Sequence, residues 1–477
     1  MRMLIDGQLT EADSGMTFDV IDPATGVLVD KAPLGGREDV RKAADAAFKA
    51  FDEWSGMIPR DRGKLLFKAG QAIRQKSDQL ARLLTMEQGK PLKEARDEIL
   101  GTANVFEYYS SISGSLTGSY VPMAPERFGI VLKRPIGVCG AIIPWNVPAI
   151  LMSWKVAPAL VTGNTLVLKP SSNAPLTVLS IASIMNEAGI PEGVLNVVTG
   201  SGDVVGDEVV TCEKIKKVSF TGASDTGKDI IRKTSKLLKR VTLELGGSDP
   251  MIVCDDIDIK FAVDGAIRGR FYNCGQTCTA IKRVYVFESI ADEFIKMLKI
   301  KISGLKVGNG LDSGIDMGPL NNKGQLDKIV SQMEKVRNND EGKIVEGGDI
   351  LKGPKYDKGY FYAPTLVTDV ALDSILLKEE VFGPVMPVVI VKDIDEAIDK
   401  ANDSFYGLGS SIWTKNMERV TYASKRIEAG ILWVNQHTKA PADMPFGGIK
   451  GSGIGRENGL DSLSEYLEIK SVMINPV

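Results

Sequence analysis

A chain of 477 residues with 43% apolar and 25% charged residues has the usage of a folded globular protein, with length for about three structural units. Its 58 Lys and Arg nearly balance 61 Asp and Glu, with no run of five or six like charges, which argues against a nucleic-acid or membrane-surface partner. A single histidine, His437, excludes multi-histidine metal sites, and no bound metal is expected; a thiol nucleophile would need a base other than histidine.

In chain order, the segment Met1 to Gly7 has neither an apolar core nor a small-residue cleavage site, so no signal peptide is expected. Arg37 to Trp54, and Arg60 to Glu87 and beyond, are long amphipathic patterns that predict helices packed around a sheet. Gly114 to Lys133 alternates like an edge strand, as does the tail from Ser462 to Val477. Apolar edges are normally covered, and pairing with another subunit is the expectation, with pairing inside the chain as the alternative.

From Gly137 to Gly246 short β-branched runs alternate with amphipathic stretches, the pattern of βαβ units on a parallel sheet. Strands are expected at Val138 to Ile143, Thr165 to Lys169, Leu195 to Val198, Lys217 to Thr221 and Val241 to Leu245. Helices are expected between them at Ala149 to Leu160, Ala174 to Ala188, Val204 to Cys212 and Thr226 to Leu238. The apolar stretch Ile136 to Leu168 is broken by Pro144, Asn146, Pro148, Lys155, Pro158 and Asn164 and reads as core, not membrane span. From Met251 to about Phe446 the alternation repeats as a second α/β unit. Its helices are expected at Ile257 to Gly269, Ile290 to Ser303, Lys323 to Asn338, Ile394 to Asn402 and Met417 to Ile427, and its strands include Lys282 to Phe287 and Pro387 to Val391.

The five cysteines, Cys139, Cys212, Cys254, Cys274 and Cys278, are an odd number spread over a long chain, which fits a reducing compartment rather than a disulfide framework. Cys278 lies in the polar stretch Asn-Cys-Gly-Gln-Thr-Cys, residues 273–278, and is a candidate nucleophile. A free thiol is only a few per cent thiolate at neutral pH, so such a role requires local activation; a buried cysteine is otherwise a small core residue. Glu244 ends an expected strand before Gly246 and Gly247, where open α/β sheets bind ligands, and burial there would raise its pKa toward that of a general base. A helix-capping role is the plain alternative. Asn146, after the strand ending at Ile143, could donate to a developing oxyanion or serve only a turn. Gly200-x-Gly202 with Gly206, and Gly222 with Gly227, lie near helix starts and could approach a phosphate, although neither forms the usual dinucleotide fingerprint.

Together these segments resemble the aldehyde dehydrogenase superfamily over nearly the whole chain. The resemblance is carried by Pro144-Trp145-Asn146, Lys169-Pro170-Ser171-Ser172, Phe220-Thr221-Gly222, Leu243-Glu244-Leu245-Gly246-Gly247, Gly275-Gln276-Thr277-Cys278, Glu380-Val381-Phe382-Gly383-Pro384 and Pro445-Phe446-Gly447-Gly448, in sequence order. In motif flavour it is closest to succinate-semialdehyde and lactaldehyde dehydrogenase-like members. The resemblance implies a Rossmann-like cofactor unit (1–113 and 134–246), a second α/β catalytic unit (247–447), and an oligomerisation hairpin with tail (114–133 and 448–477). It also implies a cytoplasmic homo-oligomer, a dimer or tetramer.

By the same resemblance Cys278 attacks the aldehyde, Asn146 and the Cys278 N–H hold the oxyanion, and Glu244 activates water against the thioester. NADP or NAD would lie against Ile143, Pro144, Trp145, Lys169, Ser171, Ser172, Gly202, Gly206, Phe220, Thr221, Gly222, Thr226, Leu245, Gly246, Glu380 and Phe382. The substrate pocket would draw on Trp154, Tyr272, Thr277, Thr279, His437 and Phe446. Many NAD-selective relatives carry Glu where this chain has Ser172, so NADP is expected to be accepted or even preferred. Ala223 stands where the family usually has serine. Trp154 and Tyr272 replace arginines found in relatives that recognise a second carboxylate, which favours an apolar or hydroxylated aldehyde, with Arg268, Arg270 or His437 as remaining polar contacts. Within enzymes the rival is a CoA-acylating dehydrogenase, disfavoured by Glu244; outside them it is a catalytically silent binding protein.

Overall fold

The computed structural model describes residues 1–125 and 127–476. The apolar β-branched runs become strands buried on both faces, and they build two large sheets of an α/β fold. In the first, the five central strands are the five expected ones. They run parallel in the spatial order Leu195–Val197, Thr165–Lys169, Val138–Ile142, Ile215–Thr221, Arg240–Glu244. The chain winds outward one way from Val138–Ile142 and then the other way from Ile215–Thr221. The crevice between the carboxyl ends of these two strands is therefore a topological switch point, where such sheets bind ligands. Met3–Ile5 and Gln8–Thr10 extend one edge antiparallel, and Gly453–Ile454 closes the other against Arg240–Glu244.

The second sheet runs Lys343–Glu346, Thr365–Thr368, Val385–Val391, Ile281–Phe287, Asp249–Val253, Gly409–Trp413, Ile431–Val434, parallel except for its first pair. Residues 448–477, grouped at the sequence level as one tail, are shared out. Ile449–Lys450 pairs with Tyr406–Gly407 and Gly453–Ile454 joins the first sheet. Leu467–Ile474 pairs antiparallel with Arg127–Pro135, which in turn pairs with Ser119–Ala124.

The two alternating segments thus pair with each other inside one chain, the alternative named above, and Ser119–Ala124 and Leu467–Ile474 remain the two edge strands of this sheet. Val477, at the end of the tail segment, lies outside the described residues. The long pattern from Arg60 runs through three helices, Pro59–Gln75, Ser77–Gln88 and Leu92–Ser111. Gly89, at φ 101°, ends the second in the left-handed region, and Pro91, lacking an N–H, precedes the third. Amphipathic spacing records which residues face the core but not that the chain turns between them. Likewise the expected helix Val204 to Cys212 starts as a wide π-turn, Gly202–Gly206, before Asp207–Thr211. The helix expected at Thr226 to Leu238 spans Ser224–Thr234, and Leu238 at φ 49° lies beyond it. Among the described residues no helix is long and apolar enough to cross a membrane.

Candidate active site

At the switch point a cavity of about 180 Å³ is lined by Pro144, Trp145, Asn146, Thr221, Gly222, Ala223, Leu245, Gly246, Cys278, Gln325, Lys328, Glu380 and Phe382. Each segment arrives for a structural reason. Pro144 to Asn146 leaves the strand Val138–Ile142 and leads into the helix Pro148–Val161, with Pro148 in the first turn, where a missing N–H costs nothing. Thr221 ends its strand, and Gly222 follows because a Cβ there would lie 2.4 Å from the Phe220 ring. Leu245 and Gly246 follow Arg240–Glu244, and a Cβ on Gly246 would lie 2.5 Å from Glu380 Oε2.

Cys278 is carried by a constrained turn. Asn273, Cys274 and Gly275 take φ values of 50°, 56° and 73°, three successive residues in the left-handed region. A Cβ at Gly275 would meet the Gly383 carbonyl at 2.3 Å, so only glycine fits. Such backbone persists when its surroundings over-determine it. Here the Asn273 N–H donates to Glu94 at 2.8 Å, its side chain donates to the Asn146 carbonyl at 2.8 Å, and the Asn321 N–H donates to Gln276 Oε1 at 2.9 Å. Asn146 Nδ2 donates to the Gln276 carbonyl at 3.0 Å. A second tie to Asn146 comes from Lys90, whose Nζ donates to the Asn146 carbonyl at 2.8 Å while paired with Glu98; both side chains are almost completely buried. Glu98 in turn accepts from the Ala149 N–H at 2.9 Å, capping the helix that follows Asn146.

The thiol of Cys278 is pushed up to about 12, chiefly by burial, with Lys282 acting against the shift and Asp249, Glu244 and Glu380 adding to it. Glu244 is 2% exposed, and neither of its carboxylate oxygens has a hydrogen-bond partner among the described residues. Burial first, and Glu457 second, hold its pKa well above the ordinary carboxylate range, against Lys155 and Arg456. Its carboxylate lies beside Gly447, where a Cβ would come within 2.7 Å of Oε1. Lys155 pairs with Glu457 and donates to Thr221 Oγ1 at 2.8 Å, which puts a buried ion pair in the same polar cluster as Glu244.

The sequence-selected residues thus divide. Cys278, Asn146, Pro144, Trp145, Thr221, Gly222, Leu245, Gly246, Glu380 and Phe382 line one cavity, with the Trp145 and Phe382 rings edge to face at 5.7 Å. Ile143 and Phe220 are buried in the core, Phe220 beneath Gly222. Lys169 ends the neighbouring strand, buried, its ammonium lowered to about 8 by burial and donating to the Pro170 carbonyl at 3.0 Å. Ser171 is half-buried, and Ser172 Oγ donates to the Gly200 carbonyl at 2.9 Å. Gly202 is exposed, Gly206 buried, and Thr226 exposed on its helix.

The Trp154 and Phe446 rings pack tilted by 50° with centroids 4.7 Å apart, and Trp154 Nε1 is a buried donor with no partner among the described residues. Tyr272 is half-buried, whereas Thr277 and Thr279 are buried. His437 Nε2 lies 2.8 Å from the Thr279 carbonyl, and burial lowers its ring pKa to about 3, so it is neutral at physiological pH. Arg270 is buried and donates to the Val381 carbonyl at 3.1 Å and to that of Gly383, whereas Arg268 is exposed. None of the three lines the cavity. Sequence reading missed Gln325 and Lys328, which reach the cavity from one face of the helix Lys323–Asn338. It also missed Lys155, Lys282 and Glu457. The available signal was a lysine inside an otherwise apolar helix or strand, since a buried ammonium must have partners.

The lining fits part of a dinucleotide: a side chain at Gly222 or Gly246 would meet Phe220 or Glu380, Glu380 offers a polar contact, and the helix Ser224–Thr234 starts beside the cavity with no side-chain cap on its N–H groups, while Lys169 lies outside the lining on the neighbouring strand. The model of the aldehyde dehydrogenase family matches residues 9–472. A solved NADP-dependent enzyme of E. coli is 37% identical, with 99% of this chain and 98% of that one covered, at a TM-score of 0.96. Betaine aldehyde dehydrogenase of Staphylococcus aureus, solved with NAD+, is 36% identical over 99% of this chain and 95% of its own, at 0.97. A 3,6-anhydro-L-galactose dehydrogenase is 36% identical over 99% of both chains, at 0.96. The chain belongs to the aldehyde dehydrogenase family.

Proposed function

We propose that the protein oxidises an aldehyde to its carboxylic acid with NADP or NAD, through a thioester on Cys278. The observation that carries this reading is the meeting of Cys278, Asn146, Gly222, Gly246, Glu380 and Phe382 around one cavity at the switch point.

Deprotonated Cys278 Sγ attacks the carbonyl carbon, and the oxygen becomes an oxyanion held by Asn146 Nδ2–H and the Cys278 N–H. One such donor contributes about 10²–10³ in rate. The bound nicotinamide supplies a hydride acceptor. Loss of hydride from the hemithioacetal leaves a thioester on Sγ. Water then adds to the thioester with its proton passing to Glu244, and the thiolate departs as the acid is released. Glu244 must be ionised to accept that proton, and Lys155 and Arg456 are the cations that favour its ionised form. Lys169 and the helix start at Ser224 would hold the ribose and diphosphate, and Glu380 with Phe382 the nicotinamide ribose. Ala223 in place of serine leaves the first N–H groups of that helix without a competing hydroxyl.

Within the class of small aliphatic, hydroxy- and semialdehydes, the Trp154–Phe446 ring pair and the neutral His437 suit an apolar or hydroxylated aldehyde better than one that carries a second carboxylate. The reading includes a cytoplasmic homo-oligomer, with the apolar residues exposed on the three-stranded sheet, Tyr120, Met123, Ile469 and Met473, at its contact. The test is an aldehyde panel with each cofactor, followed at the absorbance band of reduced nicotinamide and repeated with C278S. Turnover by wild type and none by C278S is expected; a blank panel would reject the reading.

A further inference from the structure

Lys282 is the second residue of the strand Ile281–Phe287, and its side chain is fully buried. Burying an ammonium is costly unless each proton finds an acceptor. Its three acceptors are the Thr277 carbonyl at 2.8 Å, the Cys278 carbonyl at 2.7 Å and Glu380 Oε1 at 3.1 Å. The Phe382 ring centroid lies 5.6 Å away. Glu380 Oε1 also accepts from the Gly247 N–H at 3.1 Å. One buried cation therefore joins the segment carrying the thiol to the segment carrying Glu380 and Phe382, with no other charged side chain intervening in these contacts.

We infer that Lys282 is a positioning residue that fixes the Cys278 backbone, keeps a positive charge beside the sulfur, and ties both to the seating of Glu380. The inference rests on the reading of Cys278 as nucleophile. Its physical basis is the charge balance at the thiol. Asp249, Glu244 and Glu380 are acids that oppose ionisation of the sulfur, His437 is neutral, and Lys282 is the cation that favours it. A methionine of similar length would keep the packing but leave two carbonyls and a carboxylate without their donor. Arginine would keep the charge in a longer, planar group.

The experiment compares wild type, K282M, K282R and E380Q. Iodoacetamide alkylation of Cys278 is followed by peptide mass spectrometry across pH on protein shown folded by its thermal melt, with kcat and KM measured in parallel. K282M should move the alkylation profile up by about one pH unit, a tenfold slower reaction at fixed pH. Its cofactor KM should rise as Glu380 loses its partner. K282R should restore most of the profile. E380Q, which removes an opposing acid while keeping Lys282, should move the profile down, and this arm decides the matter if K282M does not fold. Unmoved profiles in the folded variants overturn the inference while leaving Cys278 as nucleophile. Full turnover by C278S overturns the reading beneath it.

Discussion

Asn146 Nδ2 donates to the carbonyl of Gln276 at 3.0 Å, two residues before Cys278. The amide proposed to stabilise the oxyanion is therefore bound to the turn that carries the nucleophile, and the two cannot drift apart independently. Its second amide hydrogen remains for substrate. N146A should lower kcat by about 10²–10³ with little change in KM, because the donor acts on charge that develops after binding. Steady-state kinetics check this, and a change confined to KM would contradict it.

The Lys90–Glu98 pair makes a prediction about stability. Both side chains are almost fully buried, and Glu98 also caps the helix after Asn146. E98Q leaves the ammonium unpaired and should destabilise the protein by about 3–5 kcal/mol. The double variant K90M/E98L removes both charges and should recover much of that loss in a denaturant or thermal melt. Additive losses would show that the pair contributes no coupling.

Glu244 sets a pH dependence on acid release. Its folded pKa is raised, so the carboxyl is protonated at low pH and becomes a base only as pH rises through that value. Thioester hydrolysis should accelerate with pH over this range, and E244Q should flatten the profile while preserving a first-turnover burst of reduced cofactor. The linkage sign for stability is opposite to that of a salt-bridged carboxylate. Between the ordinary pKa and the raised one the folded state holds a proton the unfolded state has lost, so the Glu244 contribution to stability falls as pH rises. Stopped-flow absorbance and melts at several pH values check both limbs.

Ser172 Oγ donates to the Gly200 carbonyl and adds no negative charge beside Lys169. An acid here would face a 2′-phosphate, and unit charges about 4 Å apart at an effective dielectric of 20 interact by about 4 kcal/mol. Wild type should accept NADP, and S172E should lower kcat/KM for NADP by about 100-fold or more while leaving NAD much less affected. Equal losses with both cofactors would remove the charge argument.

Much of this molecule is local and hence legible in the sequence. The five parallel strands of the first sheet announce themselves because a strand buried on both faces must be apolar throughout. The glycines at 222, 246 and 275 mark places where the chain passes too close to its own atoms for a Cβ. The motifs around Cys278, Glu244 and Asn146 were legible for the same reason: each is a short run whose chemistry depends on adjacent residues. Periodicity could not say that the pattern from Arg60 turns twice, nor which strand covers Arg127–Pro135. Lys155 with Glu457, Lys282 with Glu380 and Lys90 with the Asn146 carbonyl join residues far apart in the chain. A charge in an apolar run declares that it needs a partner, but only the folded chain, by bringing distant segments within a few ångströms and removing water between them, decides which partner it has.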